Sequence, residues 1–439
     1  MKPYNLFGVI LVVLGFMGPH PVAAQTPDSL DRYLETAAKN NPGLNADFLA
    51  YKASLEKVPQ AGAWPDPQLD IGFFLKPMDI VGGRQVADFT LMQMFPWFGT
   101  KKAAQTEATH MAKMAYARFT ETRDNLYLEV YTQWYLLSTL VQQLRNNREN
   151  LQLLKQLEEL ALRKVSSSSS GMSSGMGSTA PGMSDVLRVQ LEMAEIENNI
   201  ESILSEIAAE KAKFNALLNR SADREVILPD SIAKVPFFFD EGVTMSEIEN
   251  RNPMLDMLVE EEQAYRAKGE MDQKMSYPMF GIGLQYMLIG ESATAQMEQG
   301  MEPEMTGMDM IMPMVSISIP LYRNKYKAQQ RESRFLWQSA REKYRNTLNM
   351  LQSDLFRLKH QLDDAERKIT LYRKQEQMAW TTYQLVVQEF ISAKSDLTNV
   401  IQVQRQLLDY QLREAEAIAE YNTRVASIRK LRSFNTSNN

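Results

Sequence analysis

Seven methionines fall within eighteen residues: Met297, Met301, Met305, Met308, Met310, Met312 and Met314. The first three recur every fourth residue among Glu298, Glu302 and Glu304, a setting too polar for core packing. Three more, Met172, Met176 and Met183, lie in or beside a serine- and glycine-rich tract. Thioethers are soft ligands and suit Cu(I) or Ag(I) better than hard cations. The Met297–Met314 group is therefore the candidate metal site. Methionine is also a flexible apolar filler, and the residue types leave both readings open in a chain with 27 methionines.

Other chemistry has little to work with. There is no cysteine, which removes disulfides, thiolate metal sites and a lipid-bearing Cys. The histidines, His20, His110 and His360, are far apart. No nucleophile–base arrangement, phosphate loop or paired catalytic carboxylates stands out, so we expect neither an enzyme nor a cofactor. Runs such as Glu260-Glu261-Glu262 read as a solvated helix face. The 48 basic and 54 acidic residues are interspersed, with a net charge of −6, and no basic patch points to nucleic acid.

The elements that must carry these residues are written twice. NNPGL at Asn40–Leu44 matches RNPML at Arg251–Leu255, and PQLDIGF at Pro67–Phe73 matches PMFGIGL at Pro278–Leu284. Pro96 matches Pro320, and DVLRVQ at Asp185–Gln190 matches NVIQVQ at Asn399–Gln404. The order is the same throughout. The second copy has a longer loop between its second and third anchors, and the first copy has a longer connection after its third.

Residues 1–24 form a secretory signal, with Lys2, an apolar core over Leu6–Phe16, and Val22-Ala23-Ala24 before the cleavage site. No later run reaches the roughly 18 apolar residues of a membrane-spanning helix. The first repeat spans 25–243: a helix over Asp28–Pro59 broken at Asn41-Pro42, a β-hairpin over 67–95, and a long helical hairpin. Its tip is the loop 166–182, and 219–243 links the repeats. The second repeat spans 244–431. It has a helix opened by the capping pair Thr244 and Glu247, a hairpin over 278–320 with the Met-rich loop, and a helical hairpin turning near 392–395. Residues 432–439 read as a disordered tail.

Each hairpin alternates. Leu69, Ile71 and Phe73 interleave with Asp70 and Gly72; Phe280, Ile282, Leu284 and Tyr286 with Gly281, Gly283 and Gln285; Val315, Ile317 and Ile319 with Ser316 and Ser318. That period suits a membrane barrel with a wet lumen or a half-exposed soluble sheet. The helices carry apolar residues at a spacing near 3.5, as in Val186, Val189, Met193, Ile196, Ile200, Ile203 and Ile207, which predicts supercoiling. The fold class expected is mainly α with a smaller β part, a transmembrane β-barrel if the strands meet lipid. Four strands cannot close a barrel, and an open sheet in lipid leaves backbone groups unpaired. If the strands lie in membrane, the chain must oligomerise, in multiples giving 8, 12 or 16 strands.

AKNNPGL at Ala38–Leu44, FPWFGTKK at Phe95–Lys102, IPLYRNKYKAQ at Ile319–Gln329, SDVLRVQLE at Ser184–Glu192 and NVIQVQRQL at Asn399–Leu407, in this duplicated order, resemble the TolC family of outer-membrane efflux channels. For the methionines, the relevant comparison within the family is its copper- and silver-exporting, CusC-like branch. The resemblance implies a homotrimer with a 12-stranded barrel in outer-membrane lipid and a helical tunnel across the periplasm. It implies docking to a periplasmic adaptor (membrane fusion) protein and an inner-membrane RND-type pump, through a tip that includes Met172, Met176, Met183, Ser184 and Asp185. It also implies a periplasmic constriction at Asp396, Asn399 and Gln402. The last two are neutral, where the family commonly places acidic side chains. The substrate expected is Cu(I), Ag(I) or another heavy metal. The alternatives are an exit duct for drugs, other organic compounds or proteins and, in another class, a soluble periplasmic coiled-coil adaptor or scaffold.

Overall fold

A computed structural model describes residues 30–76, 78–80, 83–169, 183–290, 307–392 and 394–434. The signal segment, Met172, Met176, Met297, Met301 and Met305 lie outside the described residues. The first repeat contains α1 (Leu30–Asn40), α2 (Pro42–Gly62), β1 (Gln68–Phe73), β2 (Asp79–Ile80), β3 (Gly83–Phe95), α3 (Thr100–Ser169) and α4 (Met183–Leu217). The second contains α5 (Glu241–Arg251), α6 (Pro253–Met275), β4 (Met279–Gly290), β5 (Met310–Ser318), α7 (Arg323–Ile391) and α8 (Leu397–Leu431).

The Asn-Pro junctions break the helices for a local reason. Proline has no N–H to give and suits the first helical turn. Asn41 caps α2 by accepting from the Leu44 N–H at 3.0 Å, and Asn252 caps α6 by accepting from the Met254 N–H at 3.0 Å. Pro96 and Pro320 end strands instead. They sit in short linkers before α3 and α7, where the missing N–H costs no ladder bond.

Four expected boundaries move. The second repeat's helix begins at Glu241, capped by Asp240, which accepts from the Val243 N–H at 2.9 Å. Thr244 is buried within the first turn, so it does not form the expected cap with Glu247. The first repeat's second helix runs past Pro59 to Gly62. α3 continues through Ser166 to Ser169, because extending an existing helix needs no new nucleus. The start of the expected disordered tail is packed: Phe434 stacks on Tyr131 at 5.4 Å, and Arg432 pairs with Glu247.

The sheet is antiparallel in the order β1–β3–β4–β5, with the two-residue β2 also pairing β3. Its central register sets Thr90 against Gln285, Leu91 against Leu284 and Met92 against Gly283. β5 continues it with Ser316 against Gly281 and Val315 against Ile282. β1 and β5 are the edges.

α3 and α7 have 70 and 69 residues, so each extends about 100 Å at 1.5 Å per residue. The apolar seams predicted from spacing are buried: Val186, Val189, Ile196, Ile200 and Ile207 on α4, and Leu351, Leu355, Leu358 and Leu362 on α7. One cluster joins α3, α4, α7 and α8 toward the tips. Two more, one in each repeat, lie part-way along α3 and α7, and the linker residues Ile232 and Val235 pack against both. Among the described residues no helix is long and apolar enough to cross a membrane.

Candidate functional site: a two-faced sheet and a clamped helical tip

Alternation along paired strands gives the sheet two unlike faces. One carries Leu69 and Ile71 of β1, Phe89 and Leu91 of β3, Ile282 and Leu284 of β4, and Ile311, Val315 and Ile317 of β5. In the single protomer these side chains are uncovered apart from the half-buried Phe89, with Val315 78% and Ile282 62% exposed. The other face carries Asp70, Asp88, Thr90, Gln285 and Ser316. Three of the candidate metal ligands, Met310, Met312 and Met314, belong to this polar face of β5, not to the loop where the sequence suggested them. Met308 lies just before the strand and is exposed. Sequence reasoning missed Met92 and Met94 as partners of this group. The signal was there in their even spacing with Thr90 and Asp88, but not the register that brings β3 beside β4.

Where strands meet helices, aromatics from both repeats converge. Trp97 stacks on Tyr277 at 5.1 Å and touches Phe280, and Trp64 meets Phe95 edge-on at 5.2 Å. Lys101 places its Nζ 3.1 Å from the Trp64 ring centre. Gly99 turns the chain at φ +80°, and Lys274 Nζ reaches the Gly99 carbonyl at 3.3 Å. A Cβ at Gly99 would stand 2.8 Å from that ammonium. The junction thus needs both glycine's backbone freedom and its missing side chain.

At the far end the two return helices are held together. Arg188 on α4 donates to Thr398 Oγ1 on α8 at 2.7 Å. Arg405 on α8 donates through Nε to Glu192 Oε1 on α4 at 2.5 Å, and its Nη2 pairs with Oε2 of the same carboxylate. Glu192 is 8% exposed and Arg405 61%. The carboxylate's hydrogen bonds push the Arg405 guanidinium further above its ordinary range. Gln404 is buried and donates to the buried Asn150 of α3. Gln404 is more deeply buried than its apolar neighbour Val403. These cross-helix pairs have no sequence signature, because each partner alone reads as an ordinary solvated residue.

The sequence-predicted constriction residues lie on this tip. Asp396 precedes α8 with no side-chain cap bond, and Asn399 and Gln402 follow on the same exposed face. Asn399 Nδ2 donates to Ser395 Oγ at 3.4 Å. Met183 and Ser184 are exposed and Asp185 half-buried at the start of α4.

No protein-family profile matches the sequence, and no curated protein matches it. Solved structures do match. VceC, an outer-membrane protein of Vibrio cholerae, superposes with a TM-score of 0.73 at 14% identity, over 92% of this chain and 96% of that one. CusC, described in terms of folding and transmembrane channel formation, gives 0.74 at 12% identity over 93% of each chain. The chain has the fold of a TolC-family outer-membrane channel. The Campylobacter jejuni outer-membrane channel CmeC adds a TM-score of 0.68 at 12% identity, over 94% of this chain and 87% of that one. In this TolC-type fold the sheet and the clamped tip stand at opposite ends of the long helices, joined by α3 and α7.

Proposed function

We propose that the protein is the outer-membrane exit duct of a tripartite efflux system. Three copies assemble, each giving four long strands to a twelve-stranded barrel, and the helices continue as a tunnel into the periplasm. The observation that carries this reading is the sheet itself. It has two open edges and an uncovered apolar face whose reverse is polar. In water that face would aggregate, and in lipid the edges would cost several kcal/mol per unpaired group. Closure with further copies satisfies both. Eight strands leave an interior filled by side chains, so a duct needs more, and three copies are the next closed number. The aromatic cluster at Trp64, Trp97 and Tyr277 sits where an interfacial belt belongs.

Its role is passive, with the energy for transport supplied by its partners. The tip around Met183, Ser184 and Asp185 docks a periplasmic adaptor, which joins an inner-membrane RND-type pump. The tunnel narrows at Asp396, Asn399 and Gln402. The exported substrate is Cu(I), Ag(I) or a similar soft ion, supported by the methionine content. A drug or protein duct of the same fold would need no such enrichment. A soluble adaptor or scaffold would not present an apolar sheet face. The deciding experiment is gel migration of membrane fractions with and without heating. A heat-sensitive trimer in the outer membrane is expected, and a soluble monomer would overturn the reading.

A further inference from the structure

Every methionine in the paired strands lies on one face of the sheet. Met92 and Met94 come from β3, Met279 and Met287 from β4, and Met310, Met312 and Met314 from β5. All seven share the face of Asp88, Thr90, Gln285 and Ser316, and the apolar face has none. A filler chosen for apolarity would favour the opposite distribution, since the lipid-facing side is where apolar area is needed. Selection for the sulfur atom explains the placement, because thioethers are soft ligands usable from a wet surface.

We propose that these methionines form a soft-cation path along the barrel lumen, with its tightest site at Met92, Met94 and Met314 around Gly281 and Gly283. The proposal rests on the duct reading, which turns the polar face inward. The two glycines open a notch between β3 and β5. Met94 Sδ lies 2.6 Å, and Met92 Sδ 3.2 Å, from the point a Cβ on Gly281 would occupy. Met92 Sδ is also 3.0 Å from the corresponding point on Gly283. Both sulfurs therefore converge on space that any other residue would fill. Met314 is the cross-strand partner of Gly283 from the β5 side and stands on the same face, where its thioether can supply a third ligand. Two or three sulfur ligands suffice for Cu(I) or Ag(I).

The remaining methionines extend the site in both directions. Met279 lies toward the helices; Met312 and then the directly paired Met287 and Met310 lie toward the β4–β5 connection. Positions two residues apart on one face are about 7 Å from each other along a strand. An ion could pass between neighbouring rungs without leaving sulfur for long. Gln85 Nε2 donates to Met287 Sδ at 3.2 Å, holding the outermost rung in place. Asp70 and Asp88 on the same face attract cations without binding soft ones tightly. Several weak sites in series suit conduction better than one strong site.

The test is equilibrium dialysis of the purified detergent-solubilised trimer against silver nitrate in chloride-free buffer, with X-ray absorption at the silver edge. Three proteins are compared: wild type, M92L/M94L/M314L, and the tip variant M172L/M176L/M183L. Leucine keeps volume and apolarity, so trimers should form; heat-modifiable migration checks this for each. M314L alone, on the edge strand, serves as the milder variant. Wild type and the tip variant should bind silver alike with sulfur neighbours. The triple variant should bind its first silver at least tenfold more weakly, and M314L at least twofold. Equal silver affinity of the wild-type, triple-variant and M314L trimers would overturn the thioether path and leave the duct standing. Absence of an outer-membrane trimer in the wild type would overturn both.

Discussion

Asn252 donates its side-chain amide to the carbonyl of Leu431 at 2.9 Å, across 179 residues of chain. Its oxygen meanwhile caps α6. Asn41 does the same in the first repeat, capping α2 and donating to the Leu217 carbonyl at 3.0 Å. Leu217 and Leu431 are the last residues of α4 and α8, where carbonyls lack helical partners. One side chain thus begins one helix and completes the end of another. This is why each Asn-Pro junction recurs in the duplication. Asn252→Ala should destabilise the protein by about 1–3 kcal/mol, from a lost cap and an unpaired buried carbonyl. Asn252→Asp keeps the cap but not the donor, and should recover only part of this. Thermal dissociation of the trimer measures both; equal stability of the Ala variant and wild type would show that the junction is not structural.

The two sheet faces should respond differently to charge. Ile282→Arg or Ile317→Arg should cost about 2–4 kcal/mol near the bilayer midplane. Ser316→Arg or Gln285→Arg should assemble normally, since that face meets water. Trimer yield in the outer membrane is the readout, and similar losses on both faces would contradict the assignment.

The tip clamp predicts a measurable coupling. Glu192 is nearly buried, so Arg405→Gln leaves a carboxylate without its partner and should be worse than the double change E192Q/R405Q. A double-mutant cycle should give a coupling of about 1–2 kcal/mol, below a fully buried pair because Arg405 is mostly exposed. Protease sensitivity at the start of α8 follows the loosening. Additive single effects would mean that the pair does not hold α4 to α8.

Selectivity at the proposed constriction should be weak while Asn399 and Gln402 are neutral. Asn399→Asp places one carboxylate per protomer around a narrow pore and should raise cation preference in single-channel recordings. An unchanged reversal potential would show that Asn399 does not face the lumen.

A pH dependence follows from Asp124, part-way along α3. Its side chain is fully buried beside Arg123 and Ser433. Burial raises its pKa above the ordinary 3.8, although the Ser433 hydrogen bond and the Arg123 charge pull it down. The folded chain therefore holds this proton more tightly than the unfolded chain. The stabilisation is fully present below 3.8 and is lost as pH rises from there through the raised native value. Asp124→Asn has no such loss, so its stability relative to wild type should improve over that interval as pH increases. Thermal melts of both proteins from about pH 4 to 7 check the sign.

The duplication, the Asn-Pro breaks, the helix seams and the alternating strands were legible from sequence because each is a repeat within one segment of chain. Spacing near 3.5 in α4 and α7 and spacing of two in β4 and β5 report directly which side of an element avoids water. What lies across from that side is a different kind of information. Met92 and Met94 reach Gly281 only through a register between strands nearly 190 residues apart. That register is set by the sum of all their cross-strand contacts. Glu192 with Arg405, and Asn150 with Gln404, likewise become pairs only when separate helices settle side by side. Phe434 found Tyr131 for the same reason: the partner that decides the position is remote in sequence and contributes only once the chain has folded around it.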